Sequence, residues 1–290
     1  MSKTDIASLL ARFIAIVGER NALTDPADIA PHLEETRGLF HGDSPLVLKP
    51  GSTEEVAAIM KLATETGTVI VPQGGNTGHV GGQIPHDGAI VLSMARMNRI
   101  RDVDPAGGTI TAEAGVILHK LQEAADAAGL MFPLSLASEG TCQIGGNLST
   151  NAGGTAVLAY GNTRQLCLGL EVVLPTGEIW NGLRRLKKDN TGYDLRDLFI
   201  GAEGTLGVIT AAVMKLSPKP KGVQTVLVGV DDPDAALKLF RLAEDTCGSA
   251  LTGFEIMPRI SIDFVLKHIP GARDPFNGVH PWYVLFEISS

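Results

Sequence analysis

Three glycine-rich stretches contain the residue types and spacing in this sequence that could do chemistry. They lie at residues 72–82, 140–154 and 201–209. Glycine lets a backbone approach a ligand closely, and glycine-dense turns present main-chain N–H groups to phosphate. The first stretch contains no lysine or arginine, so a phosphate bound there would be held by amides. Three such stretches in one chain predict a large ligand that is held mainly by the main chain.

Several familiar signatures are missing from these stretches. The glycine spacing does not fit the G-x-G-x-x-G dinucleotide fingerprint, and no lysine follows the glycines as in a P-loop. The seven histidines are scattered and form no HExxH motif, and no G-x-S-x-G nucleophile elbow is present. None of these signatures therefore assigns a chemistry to the glycine stretches.

Composition limits the class of protein. The 290 residues are 44% hydrophobic and carry a net charge of −8, which argues against a general nucleic-acid surface. The three cysteines, Cys142, Cys167 and Cys247, form no CxxC pair, so we expect reduced thiols and a cytoplasmic protein that is at most peripheral to a membrane. No apolar run approaches the roughly 18 residues of a transmembrane helix, and the first 25 residues do not read as a signal peptide.

Local patterns predict the elements that position the glycine stretches. Residues 1–44 form a helical leader. A strand, a helix, a second strand leading into the first glycine loop and a third strand form an α/β lobe at about 46–103. A second lobe at about 109–218 contains a strand, a helix and a β-hairpin around 168–180. A further αβ domain starts near residue 221 and is incomplete. Its last strand, 283–288, is predicted to present an unpaired edge because we interpret the chain as the front part of a longer protein.

A set of motifs in fixed order carries a family resemblance. They are Pro72-Gln-Gly-Gly-Asn-Thr-Gly, Ile144-Gly-Gly-Asn, Thr150-Asn-Ala-Gly-Gly, Tyr160-Gly, Gly169-Leu-Glu-Val-Val, Asn190-Thr-Gly-Tyr-Asp-Leu and Gly204-Thr-Leu-Gly-Val-Ile-Thr. The chain resembles the FAD-linked oxidase family, in its branch of D-lactate, glycolate and D-2-hydroxyglutarate dehydrogenases. The resemblance implies an α+β fold: a PCMH-type (vanillyl-alcohol-oxidase-type) FAD-binding domain of two α/β lobes at 45–220, then the start of an αβ substrate or cap domain at 221–290.

The resemblance also implies which residues bind FAD. The loop that cradles the pyrophosphate would consist of Pro72, Gly74, Gly75, Asn76, Thr77 and Gly78, closed by Gly81 and Gly82. The wall along the flavin and ribityl chain would consist of Pro133, Ser138, Gly140, Gly145, Gly146, Asn147, Thr150, Asn151, Gly153 and Gly154. The adenosine end would be held by Glu203, Gly204 and Ile209.

One position implies how the flavin is attached. Relatives with histidine-linked flavin carry that histidine directly after the Gly-Gly pair of the first loop, where this chain has Asn76. The resemblance therefore implies non-covalent FAD, with Asn76 and Thr77 adding side-chain donors and His79 facing solvent or a neighbouring loop.

Three basic residues have two possible roles each. Arg164 either stabilises charge on the reduced flavin or forms a salt bridge. Lys187 and Lys188 either form a solvated charge pair or contribute to a site.

The resemblance implies a reaction but leaves its acid–base residues unassigned. A D-2-hydroxy acid would pass a hydride to flavin N5 and become a 2-keto acid, and a quinone, cytochrome or electron-transfer flavoprotein would accept the electrons. A divalent metal could bind only through residues beyond 290, and a homodimer is compatible with the branch. The other reading is an FAD-binding subunit that needs a second polypeptide for chemistry. We expect no turnover by residues 1–290 alone, because no catalytic base is recognised in them.

Overall fold

The computed structural model describes residues 3–290, which divide into two compact units. The first unit contains the residues up to Phe132 together with Ala137–Ala152 and Thr163–Pro218. The second contains Pro133–Leu136, Gly153–Asn162 and Lys219–Ser290. Two short segments from inside the glycine-rich region thus pack with the C-terminal part of the chain. The leader starts at residue 1, and its first two residues lie outside the described range.

Helices and strands alternate along most of the described chain. The helices are α1 Lys3–Val17, α2 Pro26–Ile29, α3 Thr53–Thr66, α4 Leu118–Ala127, α5 Ile144–Ser149, α6 Val157–Tyr160, α7 Arg196–Phe199, α8 Pro233–Cys247 and α9 Arg259–His268. The strands are β1 Ala22–Leu23, β2 Val47–Leu48, β3 Ile70–Gln73, β4 Ile90–Ser93, β5 Ile100–Asp104, β6 Thr109–Glu113, β7 Leu130–Met131, β8 Cys167–Val173, β9 Ile179–Gly182, β10 Val208–Lys215, β11 Ser217–Pro218, β12 Val223–Val230, β13 Leu251–Pro258 and β14 Trp282–Ser289.

A four-stranded sheet carries the first glycine loop. Its order is β1-β2-β4-β3, and the last three strands run parallel. The crossover helix α3 starts where the Ser52 side chain accepts a hydrogen bond from the Glu55 amide and ends at Gly67, which is left-handed at φ +66°. The predicted βαβ arrangement is confirmed. Because β3 ends at Gln73, the loop leaves the sheet at the carboxyl end of a parallel strand, where open α/β sheets bind ligands.

An antiparallel five-stranded sheet forms the second lobe. Its order is β5-β6-β10-β8-β9, so the predicted hairpin of β8 and β9 is confirmed. The central strands β6, β8 and β10 are buried along almost their whole length, and the two-stranded pair of β7 and β11 completes the pairing in the first unit. The mixed helix and sheet content confirms the predicted α+β class.

The sheet of the second unit overturns one expectation. Its order is β12-β14-β13, which makes the last strand the central one. Residues of β14 pair with β12 on one side and with β13 on the other, and Tyr283 and Val284 are fully buried. The prediction that residues 283–288 present an unpaired edge is therefore wrong. The sequence pattern indicated an interior strand correctly, but two long-range neighbours already cover both of its sides.

Candidate functional site

The three glycine stretches converge in the first unit. A Cβ atom placed on Gly75 would lie 2.2 Å from the carbonyl oxygen of Thr141, so the first loop and the second stretch touch through their backbones. The third stretch joins them because the amide of Glu203 donates to the Ser149 carbonyl at 2.9 Å. Gly204 also lies against the Pro72 ring. Glycine is required at position 75 by this close approach of two main chains.

The first loop presents unpaired main-chain donors. Among the described residues, the N–H groups of residues 75–79 donate to no protein acceptor. Asn76 occupies the left-handed region at φ +53°, an uncommon conformation for a residue with a side chain. Successive N–H groups around such a residue can form a concave site for an anion. The loop therefore has the chemistry expected of a phosphate cradle built from amides.

Side-chain amides hold this loop in place. Gln73 is 1% exposed, and its Nε2 donates to the carbonyls of His32 and Gln83. The Gln83 Nε2 donates in turn to Asn76 Oδ1 and to the Gly78 carbonyl. The His32 Nδ1 lies 2.5 Å from Gln73 Oε1, and burial lowers the pKa of this imidazole, with Lys49 lowering it further and the Gln73 hydrogen bond opposing. The leader and the loop are thus one hydrogen-bonded unit.

The side chain of Asn76 is committed to this network. Its Nδ2 donates to the carbonyls of Pro31 and Glu34, at 3.1 and 2.8 Å. An amide nitrogen has two N–H bonds, so none is left for a ligand. The expectation that the Asn76 side chain supplies a donor to phosphate is wrong, because tertiary contacts with the leader turn it the other way. Only the main chain of Asn76 remains available.

The second stretch forms a wall with unsatisfied polar atoms. Helix α5 is fixed by hydrogen bonds from the Ile144 and Gly145 amides to the Val116 and Ala114 carbonyls. Two side-chain atoms beside it, Gln143 Oε1 and Asn147 Nδ2, are buried and have no hydrogen-bond partner. Buried polar atoms without partners are rare and point to a missing ligand or water.

Open space lies beside these atoms. A Cβ on Gly146 would meet no atom within 4 Å outside its own helix, and Gly146 does not have a positive φ. A Cβ on Gly74 would lie 3.5 Å from Gln143 Oε1 and 3.8 Å from the Gly146 Cα. Neither steric crowding nor backbone conformation therefore explains why Gly146 is a glycine in a helix, where glycine is unfavourable.

Two further residues, one in the second and one in the third glycine stretch, have uncommon backbone conformations. Asn151 and Glu203 are left-handed at φ +48° and +51°, which is a candidate sign of function rather than of packing. Asn151 Oδ1 accepts from the Arg164 amide at 3.0 Å. Arg164 Nη2 donates to the Ile200 carbonyl, and no salt bridge to a carboxylate is present in the described structure, so the salt-bridge interpretation of Arg164 is wrong.

Comparison with family models identifies both parts of the chain. A model described as an FAD binding domain matches residues 44–182, and one described as the C-terminal domain of FAD linked oxidases matches residues 219–290. The chain is 41% identical over 282 residues to the D-2-hydroxyglutarate–pyruvate transhydrogenase of Saccharomyces cerevisiae, covering 97% of this chain and 57% of that protein. It is 42% identical over 265 residues to the mitochondrial D-2-hydroxyglutarate dehydrogenase of Bos taurus, covering 91% of this chain and 48% of the relative.

This chain belongs to the FAD-linked oxidases. It spans about half the length of the curated relatives that it matches. Solved structures show the same fold: 4-ethylphenol oxidase from Gulosibacter chungangensis aligns with a TM-score of 0.81 at 22% identity, covering 100% of this chain and 60% of that one. p-Cresol methylhydroxylase aligns with a TM-score of 0.79 at 18% identity, covering 100% and 61%. The resemblance to the PCMH-type fold is confirmed.

In the first unit, the first loop and the wall formed by the second stretch together fit FAD, the cofactor of this family; both are called the glycine-lined wall below. The free amides of residues 75–79 suit a pyrophosphate, and the unpartnered Gln143 Oε1 and Asn147 Nδ2 suit a ring or ribityl chain with its own donors and acceptors. The open space beside Gly74 and Gly146 would be filled by a Cβ at either position. Buried polar atoms without partners and a space that a larger residue would fill are therefore both present, and both suit a bound cofactor.

The predicted FAD residues fall in both units. The first unit contains Pro72, Gly74, Gly75, Asn76, Thr77, Gly78, Gly81, Gly82, Ser138, Gly140, Gly145, Gly146, Asn147, Thr150, Asn151, Glu203, Gly204 and Ile209. The second contains Pro133, Gly153 and Gly154, and a Cβ on Gly154 there would lie 2.4 Å from the Ser135 carbonyl oxygen. Ile209 is 4% exposed within β10, so its side chain belongs to the core.

Sequence reasoning missed the glutamines. Gln73 and Gln83 order the first loop, and Gln143 presents the unpartnered oxygen, yet no motif marked any of them as polar residues of the site. The available signal for Gln73 was a polar residue at the end of an apolar strand, immediately before the glycines of the first loop. Among residues 3–290, no group of three or more His, Cys, Asp or Glu side chains is arranged to hold a metal, and no helix is long and apolar enough to cross a membrane.

Proposed function

We propose that this chain binds FAD non-covalently along the glycine-lined wall and that the whole protein oxidises a D-2-hydroxy acid to the 2-keto acid. The observation that carries the proposal is the pair of buried, unpartnered atoms Gln143 Oε1 and Asn147 Nδ2 beside the open space at Gly74 and Gly146. The substrate class is supported by the relatives in yeast and cattle, whose names specify D-2-hydroxyglutarate.

Each part of the wall has a role in this proposal. The amides of residues 75–79 hold the pyrophosphate, and the network of Gln73, Gln83 and Asn76 keeps those amides in place. Ser138, Gly140, Gly145, Gly146, Asn147, Thr150 and Asn151 of the first unit line the flavin and ribityl chain. Pro133, Gly153 and Gly154, which the resemblance also implies as FAD residues, belong to the second unit. Glu203 and Gly204 hold the adenosine end, together with the main chain of Ile209.

The chain's contribution to the reaction is binding and orientation. When bound, FAD supplies the acceptor for the hydride lost from the α-carbon of the hydroxy acid. Preformed amide donors lose little entropy when the cofactor binds, because the loop is already ordered by its side-chain bonds. A quinone, cytochrome or electron-transfer flavoprotein is proposed as the next electron acceptor, and a homodimer as the assembly.

The compartment also belongs to the proposal. Cys142 and Cys167 are buried and unpaired, and Cys247 is unpaired, as in a reducing environment. This favours the predicted cytoplasmic location, whereas the dehydrogenase relative from cattle is named as mitochondrial. Fractionation of the native source, with detection by an antibody against this chain, tests the prediction.

Non-covalent attachment is tested by acid precipitation. Asn76 stands at the position where relatives with histidine-linked flavin carry the histidine. Its side-chain amide donates to the carbonyls of Pro31 and Glu34. We expect precipitated holoprotein to release yellow FAD into the supernatant. Flavin that stays in the pellet would show a covalent link and overturn this part of the proposal.

The substrate class is tested by anaerobic flavin bleaching with the full-length protein. D-lactate, glycolate and D-2-hydroxyglutarate are compared with the L-enantiomers of the two chiral acids, and we expect bleaching only with members of the first set. Bound FAD that no hydroxy acid reduces would contradict the reaction and favour the alternative of an FAD-binding subunit that needs a second polypeptide. Bleaching by the L-enantiomers would contradict the stereochemistry.

A further inference from the structure

The first unit contains a cavity that none of the proposed FAD residues lines. Its volume is about 350 Å³, and it is bounded by β8, β9, the segment 183–195, α7 and the end of β10. Cavities that bind small molecules start at roughly this size. The lining is unusual in charge, because five basic side chains reach it: Arg164, Arg184, Lys187, Arg196 and Lys215.

The acidic side chains of the cavity are already paired. Asp189 is bonded to Arg184 at 2.9 Å, and both Asp194 and Asp197 lie against Arg196. Among the described residues, Asp189, Asp194 and Asp197 are the only carboxylates that line this cavity. Arg184 and Arg196 pair with all three carboxylates, so three cations have no carboxylate partner and the net charge of the lining is +2.

The three remaining cations lack carboxylate partners within the described chain. Lys187 and Lys215 take part in no salt bridge, and Arg164 Nε is buried without a hydrogen-bond partner. Burial lowers the pKa of Lys215 most, and the charge of Arg196 lowers it further. Cys167 opposes this shift, and Lys187 adds a lowering effect smaller than that of Arg196. Positive groups that repel one another in a half-enclosed space are stabilised when an anion enters.

We propose that this cavity binds a small organic anion with at least two negative charges, held by Lys187, Lys215 and Arg164. The excess of positive charge sets the charge of the ligand, and the volume limits it to the size of a small metabolite. Carboxylate and phosphate groups share the required chemistry, since both accept charge-assisted hydrogen bonds from lysine and arginine. The inference does not depend on the proposed oxidation, because no lining residue is among the proposed FAD residues; Arg164 connects the two sites, since its amide donates to Asn151.

The test is calorimetric titration of the FAD-loaded protein with two probes, inorganic phosphate and glutarate. FAD loading fills the amide loop, which could otherwise bind phosphate itself. We expect saturable binding of at least one probe, and the preferred probe identifies the acidic group. Loss of a single charge-assisted contact should weaken binding about tenfold in Lys187→Met or Lys215→Met, and roughly a hundredfold when both are changed.

Neighbouring Lys188 provides the matched control. It precedes Asp189 directly, is exposed like Lys187, and does not line the cavity, so Lys188→Met removes the same charge without touching the site. We expect its affinity to stay within about twofold of the unchanged protein, since exposed charges act weakly at a distance. Circular dichroism checks folding, and the exposed position of Lys187 keeps that variant informative if Lys215→Met unfolds.

Three outcomes would overturn the proposal. The first is that neither probe binds saturably to FAD-loaded protein. In the second, Lys188→Met weakens binding as much as Lys187→Met does, which would indicate a diffuse surface charge. The third is phosphate or glutarate binding that occurs only in FAD-free protein, which would place the anion in the FAD wall. A failure of the hydroxy-acid assay alone would leave all three readouts unchanged.

Discussion

Glu171 in the antiparallel sheet and the amides of the glycine-lined wall are opposite cases of buried polar groups. In the sheet, Glu171 is 8% exposed, and its Oε1 accepts from Thr53 at 2.7 Å, Thr210 at 2.9 Å and Arg101 at 3.1 Å. In the wall, the uncharged amides of Gln143 and Asn147 each leave a buried atom without a partner. Thr111 Oγ1 in β6 also lacks a partner, but the unpaired atoms of Gln143 and Asn147 lie beside the open space at Gly74 and Gly146 and therefore indicate a ligand surface.

The two regions also differ in what their small residues do. Thr53 and Thr210 supply hydroxyl donors to a fixed acceptor, whereas Gly146 supplies only room. Stability is therefore concentrated in the sheet and ligand binding in the wall. Substitutions in the sheet should lower the free energy of unfolding with little selective effect on FAD, whereas substitutions in the wall should weaken FAD binding whatever their effect on stability.

The largest expected effect is that of Glu171→Ala. The change removes the acceptor of two buried threonine hydroxyls and of Arg101, which should lower the free energy of unfolding by about 3–5 kcal/mol. Urea denaturation measures it. Glu123→Ala is the control, because Glu123 forms only exposed pairs, with Lys120 and His119, and exposed ion pairs contribute little to stability. Equal losses in the two variants would contradict the contrast between regions.

Gly75→Val should affect both stability and FAD binding. Its side chain would meet the Thr141 carbonyl and the Cys142 Cα, so the first two glycine stretches must separate, at a cost of roughly 1–3 kcal/mol. We expect a folded protein that is purified without FAD. Gly140→Ala is the stability control, since its Cβ meets nothing within 4 Å. Full flavin occupancy in Gly75→Val would show that contact between the stretches is not needed for binding.

Acidification should destabilise the sheet. Burial raises the pKa of Glu113, but hydrogen bonds and the charges of Arg99 and Arg101 outweigh it, so the pKa lies below its ordinary value. A similar balance with Arg101, Thr53 and Thr210 lowers the pKa of Glu171. A lowered pKa in the folded state stabilises the protein above the unfolded-state value of about 4.3, and this contribution is lost as pH falls through the folded-state pKa.

The measurement is urea denaturation at a series of pH values from neutral to acid. We expect the free energy of unfolding to fall below about pH 4–5 and the slope of that fall to be smaller in Glu113→Gln, which has no proton to gain. An unchanged slope in Glu113→Gln would show that other groups control the acid transition.

The smallest expected effect on stability comes from Gly146→Ala, and it has the opposite sign. Alanine is favoured over glycine in a helix, and its Cβ meets no protein atom outside the helix, so FAD-free protein should gain about 0.5–1 kcal/mol. FAD affinity should fall because the methyl group occupies the space proposed for the cofactor. Thermal unfolding of the FAD-free protein and titration with FAD measure the two effects. Unchanged affinity would remove Gly146 from the wall.

The sequence by itself determined the glycine stretches, the βαβ lobe and the β8–β9 hairpin. These features depend on local properties: glycine density, the Ser52 cap, the Gly67 stop and alternating apolar residues. Local signals suffice because neighbouring residues decide where a helix or hairpin starts and ends. The ordered motifs likewise predicted an FAD-binding domain, which the family comparison confirms.

Only the tertiary structure decided how the polar side chains are used. It turned the Asn76 amide toward Pro31 and Glu34, left Gln143 Oε1 unpaired, and placed β14 between two other strands. It also placed Gly153 and Gly154 with the C-terminal unit. Each of these outcomes depends on partners that are distant in sequence, such as the 42 residues that separate Glu34 from Asn76. A residue's type limits which hydrogen bonds it can form, but the packing of remote segments selects the one that it makes.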